Sequence, residues 1–135
     1  AIGVDMFDCV YACRTARFGT AITSRGNISL GRKQYAKDKG PLDEDCSCKT
    51  CKNHTRAYLH TIAGKDANAA TLMSYHNIAY LLNLTRGCRA ALRESRFPEY
   101  CREFMFKYHQ EDEARYPQWA CDAFASVNIT IKKSQ

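Results

Sequence analysis

The sequence predicts an α/β fold in which strands come first and helices follow. Three observations carry that expectation. A nearly continuous apolar run opens the chain (Ile2, Val4, Met6, Phe7, Val10), which suits a strand buried on both faces, as in a parallel sheet or barrel. Three cysteines then crowd into six residues, at Cys46, Cys48 and Cys51. Finally, apolar residues recur with an i, i+3, i+4, i+7 rhythm from about Ser74 to Glu94, the mark of an amphipathic helix. At 135 residues and 15.3 kDa the chain is the size of one folding unit.

The elements follow in order. In the opening strand the apolar run is broken by Asp5 and Asp8. Residues 11–40 are basic and read as strand-like, with Ser24-Arg25-Gly26-Asn27 turning between Thr20–Thr23 and Ile28–Leu30. Gly40-Pro41 punctuates the chain before the acidic Asp43-Glu44-Asp45 leads into the cysteines. A short helix is expected from Thr55, its cap, to about Ala63, with Gly64 as terminator. The longer helix should start at Ser74 and bury Ile78, Leu81, Leu82, Thr85, Cys88, Arg89 and Leu92. Helix restarts at Phe97-Pro98, with Tyr100, Phe104, Met105 and Tyr108 as its apolar stripe. The tail, 111–135, reads as irregular or short helical structure.

Composition excludes several classes. With 45% hydrophobic and 25% charged residues, wholesale disorder and collagen-like repetition are out. No apolar run approaches the ~20 residues a membrane span needs. The start has neither a basic leader region nor an initiator Met, so a soluble chain cut from something longer is expected. Twenty Lys and Arg against fourteen Asp and Glu give +6, an excess compatible with an anionic partner.

Eight cysteines and four Asn-x-Ser/Thr patterns (Asn27, Asn53, Asn83, Asn128) would suit a secreted disulfide-linked glycoprotein. The spacing at 46–51 argues otherwise. Bridges between such near neighbours are geometrically poor, whereas thiolates there close naturally around one Zn²⁺. A reduced, intracellular chain is therefore the expectation. The fourth ligand is open among His54, His60 and His76, because spacing does not choose. A ligand distant in sequence would staple the knuckle to a packed helix, which gives His76 a physical advantage. Four protein ligands leave no open position, so the metal would be structural.

Asp8 has an ordinary reading, a strand-end carboxylate paired with Arg14 or Arg17. Its sharper reading is a carboxylate at the carboxyl end of a barrel strand, facing an active-site mouth as nucleophile or base. Asp5 competes for that role, and strand alternation puts the two on opposite faces. Arg14 and Arg17, with Arg25, Arg32 and Lys33, would offer cations to an RNA backbone; they could equally form a solvated face.

Several separated motifs occur in one order: Gly3-Val4-Asp5-Met6-Phe7-Asp8-Cys9-Val10, Arg14-Thr15-Ala16-Arg17-Phe18-Gly19, Gly40-Pro41-Leu42-Asp43, Cys46-x-Cys48-x-x-Cys51, Arg56-Ala57-Tyr58-Leu59-His60 and His76-Asn77-Ile78. Together they closely resemble the tRNA-guanine transglycosylase family over nearly the whole chain. The Arg-Phe-Gly and the Tyr116-Pro117-x-Trp119-Ala120 tail look most like its eukaryotic catalytic subunit. The resemblance implies the carboxyl-terminal part of a TIM (β/α)8 barrel with a zinc-binding subdomain, made of a β-hairpin followed by helices. Residues 1–20 would be the last barrel strand and active-site loop, 21–76 the zinc-binding subdomain, and 77–135 the C-terminal helices and tail.

The function so implied is exchange of guanine for queuine at the tRNA wobble position, with Asp8 as nucleophile. The family's structural Zn²⁺ would be held by Cys46, Cys48, Cys51 and His76. Arg14, Thr15, Ala16 and Arg17 match its tRNA-binding loop. Implied partners are tRNA, the free base queuine or guanine, and a homologous subunit in a homo- or heterodimer. The implied location is cytoplasmic, with peripheral association with the mitochondrial outer membrane. The family carries its second acid/base carboxylate and base-reading residues upstream of residue 1, so the chain alone is expected to be inactive. One departure is visible: Ala12-Cys13-Arg14 stands where the family reads Pro-Thr-Arg, which removes a fixed φ and a hydroxyl. The other reading carried forward is a non-catalytic zinc-containing module for RNA binding or dimerisation.

Overall fold

A computed structural model describes residue 6 and residues 8–132 of the chain. Its contacts fall into two compact units, residues 8–83 and a second made chiefly of residues 84–135. The first unit opens with helix α1 (Tyr11–Arg17) and the antiparallel hairpin β1 (Thr20–Thr23) and β2 (Gly26–Ser29). Helices α2 (Lys49–Asn53) and α3 (Arg56–Ile62) follow, then the first part of the 27-residue α4 (Ala67–Arg93). The second unit takes the rest of α4, then α5 (Phe97–Tyr108) and α6 (Gln118–Ala125).

The hairpin forms where expected, but its turn is tighter. Thr23 pairs with Gly26, so only Ser24 and Arg25 lie between the strands. Gly26 takes φ +96°, the left-handed conformation that only glycine adopts without steric cost. Residues 11–17 are helical rather than strand-like. Ala12 and Ala16, one turn apart, are both buried, and the Thr15 hydroxyl donates back to the Tyr11 carbonyl at 2.7 Å, so a helix hides one face here and a strand would not.

Most of the expected opening strand, Asp5 included, lies outside the described residues. Asp8–Val10 are exposed and form no strand. A strand buried on both faces needs a neighbour on each side for its N–H and C=O groups. Among the described residues β1 and β2 pair only with each other.

Helix α3 begins as read: the Thr55 hydroxyl accepts the Tyr58 N–H at 3.2 Å, and Gly64 ends it at φ +73°. The long helix begins seven residues before the expected Ser74. Asp66 supplies the cap, its carboxylate accepting the Asn68 N–H at 2.8 Å, and the alanine-rich first turns favour helix. The buried face of α4 in this unit also differs from the expected one. Ala69, Met73, His76 and Asn77 are buried, while Ile78 and Leu82 of the expected stripe are 43% and 51% exposed. The interior here takes a small residue, a sulfur and two polar groups because hydrogen-bond partners and other ligands wait for them.

The first core joins Ala16, Ala21, Leu30, Leu42, Leu59 and Met73. Its loops are fixed by Arg56, which contacts the Asp38 carboxylate at 3.1 Å and donates to the Leu42 carbonyl. Gly40 fits closely there: a Cβ would stand 3.1 Å from Asp38 Oδ1 and 3.4 Å from the Arg56 guanidinium, so those side chains would have to give by a few tenths of an ångström. The second unit has its own core of Cys101, Met105, Tyr116, Ala120, Ile129 and Ile131. Pro98 sits in the first turn of α5, as read from the sequence.

Candidate metal centre and the basic helix beside it

The knuckle is built by α2. Cys48 is its N-cap and its sulfur accepts the Cys51 N–H at 3.5 Å. Thr50, buried between them in sequence, donates its hydroxyl to the Leu72 carbonyl at 2.8 Å, which anchors α2 to α4. His76, on the next turn of α4, has no exposed surface.

The sulfurs of Cys46, Cys48 and Cys51 and one His76 nitrogen lie within 4.8 Å of one another. Nδ1 of His76 is 3.6 Å from Cys48 Sγ and 3.3 Å from Cys51 Sγ. A zinc tetrahedron with Zn–S near 2.3 Å and Zn–N near 2.0–2.1 Å has sulfur–nitrogen edges of about 3.6 Å, so the donors already stand near ligand spacing. The ring's orientation fits too. Nε2–H donates to the Ile22 carbonyl at 2.9 Å, which fixes the tautomer and leaves the Nδ1 lone pair toward the sulfurs. His54 and His60 are engaged elsewhere: His54 stacks on Tyr58, and His60 Nδ1 meets the Leu30 carbonyl at 2.5 Å.

Electrostatics makes the same demand for a cation. Burial pushes the Cys46 thiol up. Burial also pushes Cys51 up to about 12, opposed by a backbone hydrogen bond at Asp43 and assisted by repulsion from Cys46 and Cys48. Three thiolates so close ionise together only around a positive charge. Burial lowers the His76 pKa, against the opposing influence of the Ile22 carbonyl and Asp43, and so favours the neutral imidazole a metal binds. The cluster suits a closed, structural Zn²⁺. All eight cysteines are unbridged, which removes the disulfide-linked reading.

Two residues that the sequence places in family motifs without a role of their own organise this centre. Asp43, 4% exposed, accepts the Ser24 N–H at 2.7 Å and the Ser24 hydroxyl at 2.9 Å, fixing the hairpin turn to the knuckle's approach. Asn77 is fully buried and accepts the Ile22 N–H at 2.9 Å through Oδ1. Its amide nitrogen lies 3.0 Å from the Ala12 carbonyl, 3.1 Å from that of Thr20 and 3.2 Å from Thr15 Oγ1. The motifs mark their positions, but the local pattern gives neither a role: Asp43 reads as part of an acidic run and Asn77 as an ordinary polar helix position.

The remaining candidates lie on and before α1. Arg14 and Arg17 are exposed, Thr15 is half-buried, and Ala16 is 1% exposed and part of the core. Asp8 is exposed three residues ahead of α1.

A family model described as "Queuine tRNA-ribosyltransferase" matches residues 1–110. The chain belongs to that family. It is similar to the protein named queuine tRNA-ribosyltransferase catalytic subunit of Schizosaccharomyces pombe, 41% identical over 97% of this chain and 34% of the relative. A Caenorhabditis briggsae protein of the same name is 43% identical over 96% of this chain and 36% of its own length. The queuine tRNA-ribosyltransferase of Nitratidesulfovibrio vulgaris is 50% identical over 82% of this chain and 30% of its own length. The chain thus spans about a third of the length of the curated relatives it matches. The three sulfurs and imidazole match the family's structural zinc site. Among the described residues, no helix is long and apolar enough to cross a membrane.

Proposed function

We propose that this chain is the carboxyl-terminal part of an enzyme that exchanges guanine for queuine at the wobble position of tRNA. The observation that carries the reading is the family match over residues 1–110. The alternative of a non-catalytic zinc-containing module is set aside, because relatives similar to nearly the whole chain are named catalytic subunits.

On this reading, residues 1–20 supply the last strand of a TIM barrel and its loop, 21–76 the zinc-binding subdomain, and 77–135 the C-terminal helices. Residues 8–10 would gain their missing strand neighbours from the rest of the barrel. The Asp8 carboxylate then attacks ribose C1′ of a nucleotide drawn out of its stack. The C1′–N9 bond breaks, and guanine leaves with the electron pair and takes a proton from an acid elsewhere in the enzyme. An Asp8–C1′ ester remains. The N9 of queuine, giving up its proton to the conjugate base of that acid, attacks the same carbon, releases Asp8 and restores the original stereochemistry, as in double-displacement glycosyl transfer. The zinc supplies no chemistry to this exchange; Cys46, Cys48, Cys51 and His76 hold it to keep hairpin, knuckle and α4 together.

Arg14 and Arg17, exposed on α1, would contact the tRNA backbone. Ala16 would contribute by close packing beneath them, since its side chain is buried. A dimer with a homologous subunit and a reducing, cytoplasmic setting belong to the same proposal, since thiols held for a metal must stay unoxidised.

The test is Asp8→Asn in the complete enzyme, incubated with tRNA and separated under denaturing conditions. The unsubstituted enzyme should give a covalent tRNA adduct, and the variant none at unchanged zinc content. An adduct that persists would move the nucleophile elsewhere, with Asp5 next in line.

A further inference from the structure

We infer that Asn77 is a positioning residue through which the metal centre sets the orientation of the basic helix α1. The inference rests on the reading above that α1 faces RNA.

The geometry begins with one residue of the hairpin. Among the described residues strand β1 pairs only with β2, through a register that sets Ile22 opposite Asn27. Both backbone groups of Ile22 are taken by α4 instead: its carbonyl accepts from His76 Nε2 at 2.9 Å, and its N–H donates to Asn77 Oδ1 at 2.9 Å. Two consecutive side chains of one helix thus clamp the backbone edge of a single residue. His76 is one of the four donors that would hold the metal, so a bound ion would fix one arm of the clamp and thereby the strand the other arm grips.

Asn77 passes that constraint onward. Its NH₂ group faces three acceptors, the carbonyls of Ala12 and Thr20 and the hydroxyl oxygen of Thr15. Ala12 and Thr15 belong to α1 and Thr20 to β1, so one amide group ties helix to strand. An amide is suited to this because one end accepts and the other donates twice. Aspartate has the shape without the donors. The group is also fully buried, where an unmade hydrogen bond is expensive. Ala12 and Ala16 are buried on the tied side of α1, and Arg14 and Arg17 are left exposed. Rotation of α1 about this tie would carry both guanidinium groups with it.

The experiment uses the complete enzyme with Asn77→Asp, which keeps the acceptor for Ile22 and loses the donors to α1. Thr15→Val is the gentler second variant, removing one acceptor with little change of shape. Three quantities are measured: zinc content, amide hydrogen exchange over residues 11–17, and steady-state kinetics with tRNA. The expected result is full zinc content, faster exchange in α1, KM for tRNA raised about tenfold for Asn77→Asp, as befits lost buried hydrogen bonds, and kcat little changed. Thr15→Val should move exchange and KM in the same direction by less. Stripping zinc from the unsubstituted protein should also speed exchange in α1.

Zinc-replete Asn77→Asp with unchanged α1 exchange would overturn the inference, as would chelation that leaves α1 exchange untouched. Should Asn77→Asp fail to fold, Thr15→Val decides by the same readings. Arg14→Ala with Arg17→Ala separates the two claims. If that pair leaves KM for tRNA unchanged, the RNA reading of α1 fails, while the exchange data still judge the link from metal to helix.

Discussion

Residues 8–83 contain every buried polar residue of the described chain, namely Thr23, Asp43, Thr50, His76 and Asn77, whereas residues 84–132 bury Ala91, Cys101, Met105, Tyr116, Ala120, Ile129 and Ile131. The first unit is thus organised around directional contacts with a metal centre among them. The second is organised around apolar area removed from water. Area-driven packing tolerates small shifts, while a cluster of three thiols and an imidazole has one arrangement in which all four donors converge. The difference teaches where each unit is vulnerable.

Metal removal should separate the two units most widely. Binding free energy at structural zinc sites is on the order of 10–16 kcal/mol and acts as folding free energy. Chelation, or Cys51→Ser, should therefore expose the amides of residues 8–83 to rapid hydrogen exchange while those of α5 and α6 stay protected. Equal loss of protection in both units would contradict the contrast.

Met105→Ala should do the converse. Truncating a buried methionine costs about 2–5 kcal/mol, and Met105 is 5% exposed in the second core. Denaturation followed by exchange should show the second unit weakened with zinc content unaltered.

Gly87→Ala should cost less, since overpacking of about 1–3 kcal/mol is offset by the roughly 1 kcal/mol that alanine gains over glycine inside a helix. A Cβ at Gly87 would stand 2.5 Å from the Tyr100 hydroxyl oxygen, displacing the ring that donates to the Leu84 carbonyl at 3.1 Å. The check is the same denaturation experiment, and an effect confined to residues 84–132 is expected.

The smallest effect is the share of Asp38 in the pH dependence of the first unit. The Gly40 N–H first, and the Arg56 side chain after it, hold the Asp38 carboxyl below its usual range. A carboxyl lowered on folding contributes stability above its unfolded pKa and loses it as pH falls through the folded value. Beside the larger acid loss expected where protons compete with the metal for its thiolates, Asp38→Asn should make the first unit slightly less acid-sensitive, read as the difference in denaturant midpoints between variant and unsubstituted protein on both sides of pH 4. An unchanged acid sensitivity would remove Asp38 from the account.

How much of this was legible beforehand varies with the kind of signal. Cys46, Cys48 and Cys51 were readable as a metal knuckle because ligation needs rare side chains at short spacing. The caps at Thr55 and Gly64 and the proline at the head of α5 were readable because each acts on its own few backbone groups. The start of α4 was misplaced because Ser74 and Asp66 are both competent caps, and only the continuity of the alanine-rich turns decides between them. Residues 11–17 were misassigned because two alanines carry little hydrophobic signal, although they are what α1 buries.

The face that α4 turns inward lay beyond local reading altogether. Ile78 and Leu82 are more apolar than His76 and Asn77, yet the latter pair is buried. Hydrophobicity ranks residues one at a time, but burial of a polar group is settled by whether a partner waits for it, and the partners here are Ile22, Ala12, Thr15 and the three sulfurs. The donor chemistry of the metal centre was therefore written in residue types and spacing along the chain. His76 was named by the family motif, but the physical reason for choosing it among three histidines, and the enlistment of Asn77 to hold α1, came from long-range contacts, because hydrogen bonds spanning more than fifty residues exist only once the backbone has brought their ends together.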